Sequence, residues 1–430
     1  MRRVKSMRLI CAFLLGGLLA ACSASSPPVT TVTFMIFGDP AEQAAFKSVV
    51  DGFQASTSAV RVEIVGVPSQ GDYMTRLAAD MAAGAPPDVF LLNYRRMAQF
   101  YNAGTLEALG PRLQASRTLS EDQYYPVALD AFRSADGTLV CIPQNISSQA
   151  VYYNQDIFDA AGRPYPDPNW DWEAFRQTAA ALTQPDRNGD GEPDQYGLGL
   201  EPRLIRTAAF IWQNGGELVD DPAQPTRLTL DTPEAIEAIE FMMSLSLRDQ
   251  VVPNKTSEMV QSHGDRFLSG NIAMYVDSRR LVPVMREVAK FNWDVAPLPR
   301  GKHQATVLHS DGYCLANASK VQDAAWAFIE FAMGEEGQTR ASQLGRTVPS
   351  LKSVAESPAY LDPAQPPAHA GVWLDAMAYL HVLPRLENWV AIERTADTEF
   401  ELVYLGLQPL STAIENVQRQ SRQGFVPLRP

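Results

Sequence analysis

Hydrophobic positions in the first third of the chain alternate between the spacing of a strand and the spacing of a helix. In the first predicted helix, Phe46, Val49 and Phe53 recur at positions i, i+3 and i+7, which places one apolar stripe against a sheet. The order of elements is βαβαβ, which predicts a parallel, doubly wound sheet with ligand-binding loops beyond the carboxyl ends of its strands. The predicted elements are a strand at 32–37, the helix around Phe46, a strand at 60–67, a helix at 73–83 and a strand at 88–92.

A second set of elements follows from about residue 139. Thr232 followed by Pro233 is a typical helix start, and Asp171 is a suitable N-cap for an earlier helix. The last hundred residues are mostly helical in pattern. The other predicted elements are β-containing runs at 139–143, 149–153, 267–276 and 293–298 and a helix at 324–333. The chain therefore reads as two α/β lobes with a helical C-terminal region.

The composition excludes several classes of protein. Of the 430 residues, 46% are hydrophobic and 20% are charged, which is typical of a soluble globular chain rather than a disordered or multispan membrane protein. The formal charge of −13 argues against nucleic acid as a partner.

The N-terminus has the pattern of an export signal. Basic residues precede an apolar run at 9–21, and Leu19-Ala20-Ala21-Cys22 resembles a bacterial lipobox, which implies cleavage before Cys22 and its acylation. Ordinary signal cleavage that leaves Cys22 as a thiol is the alternative. We predict a lipoprotein signal peptide at 1–21, a tether at 22–31, and an exported protein anchored to a membrane by lipid. Loss of residues 1–21 changes the formal charge to −17.

Two cysteines, Cys141 and Cys314, remain for the folded part of the chain. Both lie in apolar, strand-like runs, so a disulfide and two buried thiols are both compatible with the pattern.

Several strings resemble the extracellular solute-binding proteins of ATP-driven importers, in the sugar-binding family that includes the maltose-binding protein. They occur in the family's order across residues 32 to about 350. They are Pro86-Pro87-Asp88-Val89, the run from Tyr153 to Gly162, the run from Phe267 to Met274, Ala296-Pro297-Leu298-Pro299, and the run from Ala325 to Phe331.

This resemblance implies a periplasmic-binding-protein-like α/β fold of two lobes joined by a hinge. The implied lobes are 32–142 with 313–350, and 143–312 with 351–430. Cys141 and Cys314 would then lie on adjacent crossing strands, which favours the disulfide. The resemblance also implies a monomer that is not an enzyme, captures a mono- or oligosaccharide between its lobes and delivers it to the membrane permease of an ABC transporter.

A sugar site needs aromatic surfaces and many convergent polar groups. The candidates follow predicted strands or precede the predicted crossings. They are Asp39, Glu42, Asn93, Tyr94, Arg95, Asn145, Trp212, Asp277, Arg279, His309 and Asp311. Asp39 could instead only cap a helix, Trp212 could lie in the core, and Asp277 and Arg279 could pair with each other. Trp373 and Trp389 are predicted to be core residues.

An acidic loop in the second lobe partly matches an EF-hand calcium site. Its oxygen-bearing side chains are Asp186, Asn188, Asp190, Glu192 and Asp194. Gly197 stands where a bidentate glutamate is expected, so a structural calcium is only partly supported. No other cofactor is predicted.

Two alternatives remain open at this stage. A secreted carbohydrate-active hydrolase needs only two well-spaced carboxylates, which the sequence cannot exclude. The transported cargo could also be a glycerol phosphate ester, an amino sugar or a polyol. Because the candidates include several acids, a neutral or amino-bearing sugar is preferred over a phosphate.

Overall fold

The computed structural model describes residues 29–189 and 191–425, and these form two main sheets, of five and four strands, and one two-stranded sheet, surrounded by helices. The predictions for the signal peptide and Cys22, and for most of the tether, lie outside the described residues. Strand β1 begins at Thr30, two residues before the predicted start.

The described residues contain eleven strands, eighteen α-helices and four short 3-10 helices. The strands are β1 (Thr30–Phe37), β2 (Val60–Val67), β3 (Val89–Asn93), β4 (Ile142–Pro143), β5 (Gln149–Asn154), β6 (Tyr196–Gly199), β7 (Ile272–Ser278), β8 (Trp293–Ala296), β9 (Thr306–Val307), β10 (Asp311–Leu315) and β11 (Leu380–His381). The α-helices are α1 (Pro40–Ser56), α2 (Gln70–Ala82), α3 (Tyr94–Asn102), α4 (Gly110–Ala115), α5 (Pro126–Ala131), α6 (Gln155–Ala160), α7 (Trp172–Leu182), α8 (Leu204–Gln213), α9 (Pro233–Leu247), α10 (Lys255–Val260), α11 (His263–Leu268), α12 (Val282–Val288), α13 (Gln322–Met333), α14 (Glu335–Gln343), α15 (Lys352–Ala355), α16 (Val372–Asp375), α17 (Trp389–Tyr404) and α18 (Leu410–Ser421). The 3-10 helices are Glu121–Gln123, Arg279–Leu281, Ala376–Tyr379 and Arg422–Phe425.

The first sheet has the strand order β2-β1-β3-β10-β4. Strands β2 and β3 both run parallel to β1, as the βαβαβ pattern predicts. Strand β10 runs antiparallel to both β3 and β4, so the sheet is mixed rather than wholly parallel. Helices α1, α13 and α14 pack together on this lobe, and Phe46, Val49 and Phe53 are buried there as predicted.

The second sheet has the order β6-β7-β5-β8 and is also mixed. Strand β5 is antiparallel to β7 and β8, while β6 is parallel to β7. Asp171 caps α7 and Thr232 caps α9, as their sequences predict. The β-containing run predicted at 267–276 includes β7, which follows the end of α11 and a turn at Gly270 with a φ of 81°.

The chain crosses between the two sheets at β4 and β10, which are adjacent strands. Tyr313 pairs with Ile142, and the neighbouring Cys141 and Cys314 form a disulfide with Cα atoms 4.6 Å apart. The bridge resolves the alternative between paired and free thiols. It ties together the two segments through which the chain leaves the first sheet and returns to it.

The C-terminal helices contact both halves of the molecule. Helix α17 packs against α18, against α3 beside the first sheet, and against α8 and α9 beside the second. Trp373 and Trp389 are fully buried, which agrees with their predicted core role. Within residues 29–189 and 191–425, no helix combines the length and the apolar character that crossing a bilayer requires.

Candidate functional site

A cleft of about 540 Å³ lies beside the crossing strands and is lined from both halves of the chain. Among the described residues, six arginines and seven carboxylates line it, and no tryptophan or tyrosine does. The predicted site residues that line the cleft are Asp39, Glu42, Asn93, Arg95, Asn145, Asp277, His309 and Asp311. Its volume is within the range of small-molecule sites in proteins.

One wall is built where β1 ends and α1 begins. Asp39 caps α1 by accepting a hydrogen bond from the Glu42 backbone N–H at 2.9 Å. Arg346 Nη1 lies 2.8 Å from Asp39 Oδ2, and Arg346 Nη2 lies 2.5 Å from Glu42 Oε2. Gly38 precedes them with a φ of 130°, and a Cβ atom there would collide with the Glu42 carboxylate at 1.7 Å. Glycine at this position therefore allows the ion-paired cluster to form.

The two carboxyl groups of this wall titrate differently. Burial raises the pKa of Glu42 to about 7, although Arg346 and Arg280 oppose the shift. Asp39 is less buried, and its partial desolvation is outweighed by the hydrogen bond from the Glu42 N–H and by the Arg346 guanidinium, so its pKa is lowered. At neutral pH the cluster therefore has less negative charge than its formal count.

The floor of the cleft is formed where β3 ends opposite β10. Asn93 pairs with Asp311 in the antiparallel ladder, and its Nδ2 donates to Asp311 Oδ1 at 3.1 Å. Asn145 Oδ1 accepts from the Asp311 backbone N–H at 2.7 Å. Burial raises the pKa of Asp311 against the opposing effects of Asn93 and nearby arginines. These residues meet because the crossing strands bring segments more than 160 positions apart into one ladder.

The opposite wall comes from β7 and α8. Arg206 Nη2 donates to Asp277 Oδ1 at 2.8 Å, and Glu201 Oε2 lies 3.9 Å from the same nitrogen. The Nε and Nη1 atoms of Arg206 are buried and have no hydrogen-bond partner. Asp277 therefore pairs with Arg206, so the alternative of a pair between Asp277 and Arg279 is wrong.

Helix α17 contributes two carboxylates at a third side of the cleft. Arg95 Nη1 donates to both oxygens of Glu393, at 2.8 and 2.6 Å, and links α3 to α17. Asp397 Oδ1 accepts the Leu204 backbone N–H at 2.7 Å, and burial raises the pKa of Asp397 to about 6.

Three predicted site residues do not line the cleft. Tyr94 is fully buried, and its hydroxyl donates to the Leu308 carbonyl at 3.1 Å and accepts from the Leu383 N–H. Trp212 stacks on His381 with ring centroids 4.6 Å apart and lines a separate pocket of about 230 Å³. Neither Tyr94 nor Trp212 therefore provides the aromatic stacking surface that was expected in the cleft.

Arg279 is the third residue that does not line the cleft. Its guanidinium lies 4.3 Å from the Tyr360 ring centroid and 5.0 Å from that of Trp373, and the residue is 1% exposed. The prediction assumed an extended chain, but β7 ends at Ser278 and a 3-10 turn begins at Arg279. The next residue, Arg280, lines the cleft instead.

The sequence did not single out several cleft residues. They are Arg96, Glu201, Arg203, Arg206, Arg280, Arg346, Glu393 and Asp397. Arg96 and Arg280 each adjoin a predicted residue, so a wider window around the strand ends would have included them. Arg346, Glu393 and Asp397 approach the cleft only through tertiary packing and carry no local signal.

The described residues do not support the predicted calcium loop. Asp186 accepts backbone N–H groups of Gly189 and Gly191 at 2.6 and 2.8 Å. Glu192 accepts from Ser257 Oγ at 2.7 Å and from Asn254 Nδ2 at 3.1 Å. Asp190 lies outside the described residues. In the part of the chain that the structure describes, no three or more His, Cys, Asp or Glu side chains are grouped as a metal site.

Comparison with known proteins finds similar proteins that are described as binding proteins. A binding protein of Brucella abortus (strain 2308) is 25% identical over 91% of this chain and 93% of its own length. The mannitol-binding protein of Pseudomonas aeruginosa is 25% identical over 81% of this chain and 80% of its own. The ABC substrate-binding protein Lmo0181 of Listeria monocytogenes, solved with cycloalternan, superposes with a TM-score of 0.83 and 25% identity, covering 92% and 99% of the two chains.

The model of one protein family matches residues 38–339, which is more than half of the chain. The match begins just after β1 and continues into α14, so it includes β2 to β10 and therefore both crossing strands. With a maltose-binding-protein-like fold and a cleft beside the crossings, the chain belongs to the bacterial extracellular solute-binding proteins, the substrate-binding family of ABC importers.

Proposed function

We propose that this protein captures a hydroxylated small molecule of the sugar and polyol class in its cleft and delivers it to an ABC permease. The observation that carries the proposal is the polar cleft beside the crossing strands, lined from both sheets and from α17. A relative named for mannitol and a similar protein solved in complex with cycloalternan support this class of cargo. In our proposal, residues 32–142 and 313–350 form one lobe, and residues 143–312 and 351–430 the other.

Ligand capture and lobe closure are coupled in this proposal. A ligand shifts an open–closed equilibrium only by contacting both sides of the cleft differently in the two states. Asp39 and Asn93 belong to the first sheet's side, whereas Asp277 and Arg206 belong to the second. A cargo that reaches both sets would favour closure about β4 and β10. The exported, lipid-anchored state through Cys22 is part of the same proposal, as are a monomeric chain and the absence of catalysis.

The proposal predicts saturable binding of an intact ligand. In a thermal-shift screen of monosaccharides, disaccharides and polyols, a ligand at 100 times its dissociation constant should stabilise the protein by about 2.7 kcal/mol. Asp311→Ala should abolish this stabilisation, because Asp311 is the carboxylate at the floor of the cleft. Asp323→Ala is the matched control, since the Asp323 side chain is 97% exposed on α13.

The recovered ligand distinguishes binding from hydrolysis. Chromatography of the ligand after prolonged incubation should return it unchanged. Reducing ends that accumulate with time and disappear in the Asp311→Ala variant would contradict the proposal and favour a hydrolase.

A further inference from the structure

The arginines of the cleft differ in how fully their charge is matched. Arg95 and Arg346 are each held by carboxylate oxygens within 2.8 Å. Arg96 and Arg280 also line the cleft, but none of the ion pairs formed within residues 29–189 and 191–425 includes either of them. Arg280 is exposed in the cleft and lies near enough to Asp39, Glu42 and Asp311 to favour their ionised forms. Cationic groups without a fixed partner are therefore present on both sides of the cleft.

Arg206 presents buried donors to the same space. The residue is 7% exposed, and only Nη2 makes a hydrogen bond, to Asp277 at 2.8 Å. Its Nε and Nη1 atoms are buried without a partner. A guanidinium nitrogen can only donate, so an acceptor is needed to satisfy these two groups, and leaving them unmet opposes folding.

His309 lines the same cleft as Arg206 and Arg95. Burial, together with the guanidinium groups of Arg206 and Arg95, holds the pKa of His309 well below its usual range, so the ring is neutral. Its Nε2 atom is also buried without a partner. The surroundings of His309 therefore include the guanidinium groups of Arg206 and Arg95. Buried nitrogen atoms of Arg206 and of His309 itself have no hydrogen-bond partner there.

Three kinds of ligand can be compared against this arrangement. An ammonium group only donates hydrogen bonds and cannot satisfy Arg206. A neutral hydroxyl can accept from Arg206 but brings no charge with which Arg96 and Arg280 could form a direct ion pair. A carboxylate or phosphate oxygen does both, because it accepts from Arg206 and also carries the charge opposite to Arg96 and Arg280. The described lining has no tryptophan or tyrosine, and its two phenylalanines, Phe37 and Phe46, are only 6% and 3% exposed, so it offers little of the stacking surface that a long neutral saccharide would use.

We propose that the cargo is a hydroxylated molecule with one oxyanion, a carboxylate or a phosphate, that accepts hydrogen bonds from Nε and Nη1 of Arg206 and is neutralised by Arg96 and Arg280. The hydroxyls of the same molecule donate to the carboxylates of Asp311 and Asp397. This inference rests on the proposed transport function and reverses the preference for a neutral or amino-bearing sugar drawn from the sequence.

Matched pairs of ligands test the inference by isothermal titration calorimetry on the mature chain at pH 7.5. The pairs are glucose with glucuronate, galactose with galacturonate, and glycerol with glycerol 3-phosphate. In at least one pair the anionic member should bind at least 100-fold more tightly than its neutral partner. Its affinity should fall as sodium chloride is raised. The carboxylate and phosphate arms distinguish the two sources of the oxyanion.

Two variants separate a charge effect from a folding defect. Arg206→Gln should lower the affinity for the anionic ligand about 100-fold and change the affinity for its neutral partner little. Because Arg206 is buried, the exposed Arg280→Gln provides the second variant, with an expected loss of about 10-fold. Arg248→Gln is the control, since Arg248 is an exposed arginine outside the cleft whose Nε lies 2.8 Å from Asp249.

The outcomes distinguish this inference from the function on which it rests. The oxyanion proposal would be wrong if neutral members bind as tightly as anionic ones. It would also be wrong if Arg280→Gln and Arg206→Gln leave the affinity unchanged. Either result would leave the proposed transport role intact. Binding by neither member of any pair would overturn the oxyanion proposal, and failure of every sugar and polyol in the thermal-shift screen as well would overturn the transport role.

Discussion

Replacement of Arg346 by glutamine is expected to lower the free energy of unfolding by about 3 kcal/mol at pH 7.5, because it leaves two carboxylates together without their cation. The Arg346 side chain is 4% exposed, and those of Glu42 and Asp39 are 11% and 34% exposed. Partial exposure of Asp39 keeps the expected loss near the lower end for a broken buried pair. Urea denaturation of both proteins measures this difference.

The loss should be smaller at pH 5 than at pH 7.5. Burial raises the pKa of Glu42 to about 7 even with Arg346 present, and removal of the arginine raises it further. At pH 5 the Glu42 carboxyl is therefore neutral in the folded variant and no longer repels Asp39.

Arg340→Gln is the matched control for this substitution. Arg340 lies six residues before Arg346, on α14, and pairs with Glu336 at 2.9 Å in a surface i,i+4 arrangement. Its loss should cost about 0.5 kcal/mol or less. Equal effects of the two substitutions would show that the Asp39–Glu42–Arg346 cluster is not a stabilising buried network.

The strands and helices of the first lobe could be predicted because their signals are local. The period of apolar residues gives β1 to β3, and the rule for parallel strands places the candidate site at their carboxyl ends. Asp39 and Asn93 lie in the cleft for this reason. The same logic failed at Arg279, because whether β7 continues for one more residue decides which arginine faces the cleft.

The remainder of the site depends on contacts that no local pattern encodes. Arg346 meets Glu42 across 304 positions, and Glu393 meets Arg95 across 298. Trp212 was expected in the cleft from its sequence context, but it packs on His381 of a strand formed 169 positions later. Such pairings follow from how the helical C-terminal region packs on both sheets, which the sequence pattern leaves open.

Asp397→Asn is expected to raise the free energy of unfolding relative to wild type. This gain should be larger at pH 8 than at pH 4, by up to about 3 kcal/mol. Burial raises the pKa of Asp397 from 3.8 to about 6, so the folded state binds this proton more tightly than the unfolded state does. The stabilising effect of the protonated carboxyl is complete below pH 3.8 and is lost as pH rises through 6. Asparagine stays neutral at every pH, and its Oδ1 can still accept the Leu204 N–H.

The measurement is the difference in unfolding free energy between variant and wild type at pH 4 and at pH 8. Glu401→Gln is the control substitution, because it removes a half-exposed carboxylate one turn further along α17. An Asp397→Asn difference that does not grow with pH would mean that the ionised carboxylate is well solvated in the cleft. If the difference grows with pH, the ionised Asp397 lowers the stability of the fold. We infer that it serves binding, because a cargo hydroxyl can donate a hydrogen bond to the carboxylate. The same variant should then bind its cargo more weakly than wild type.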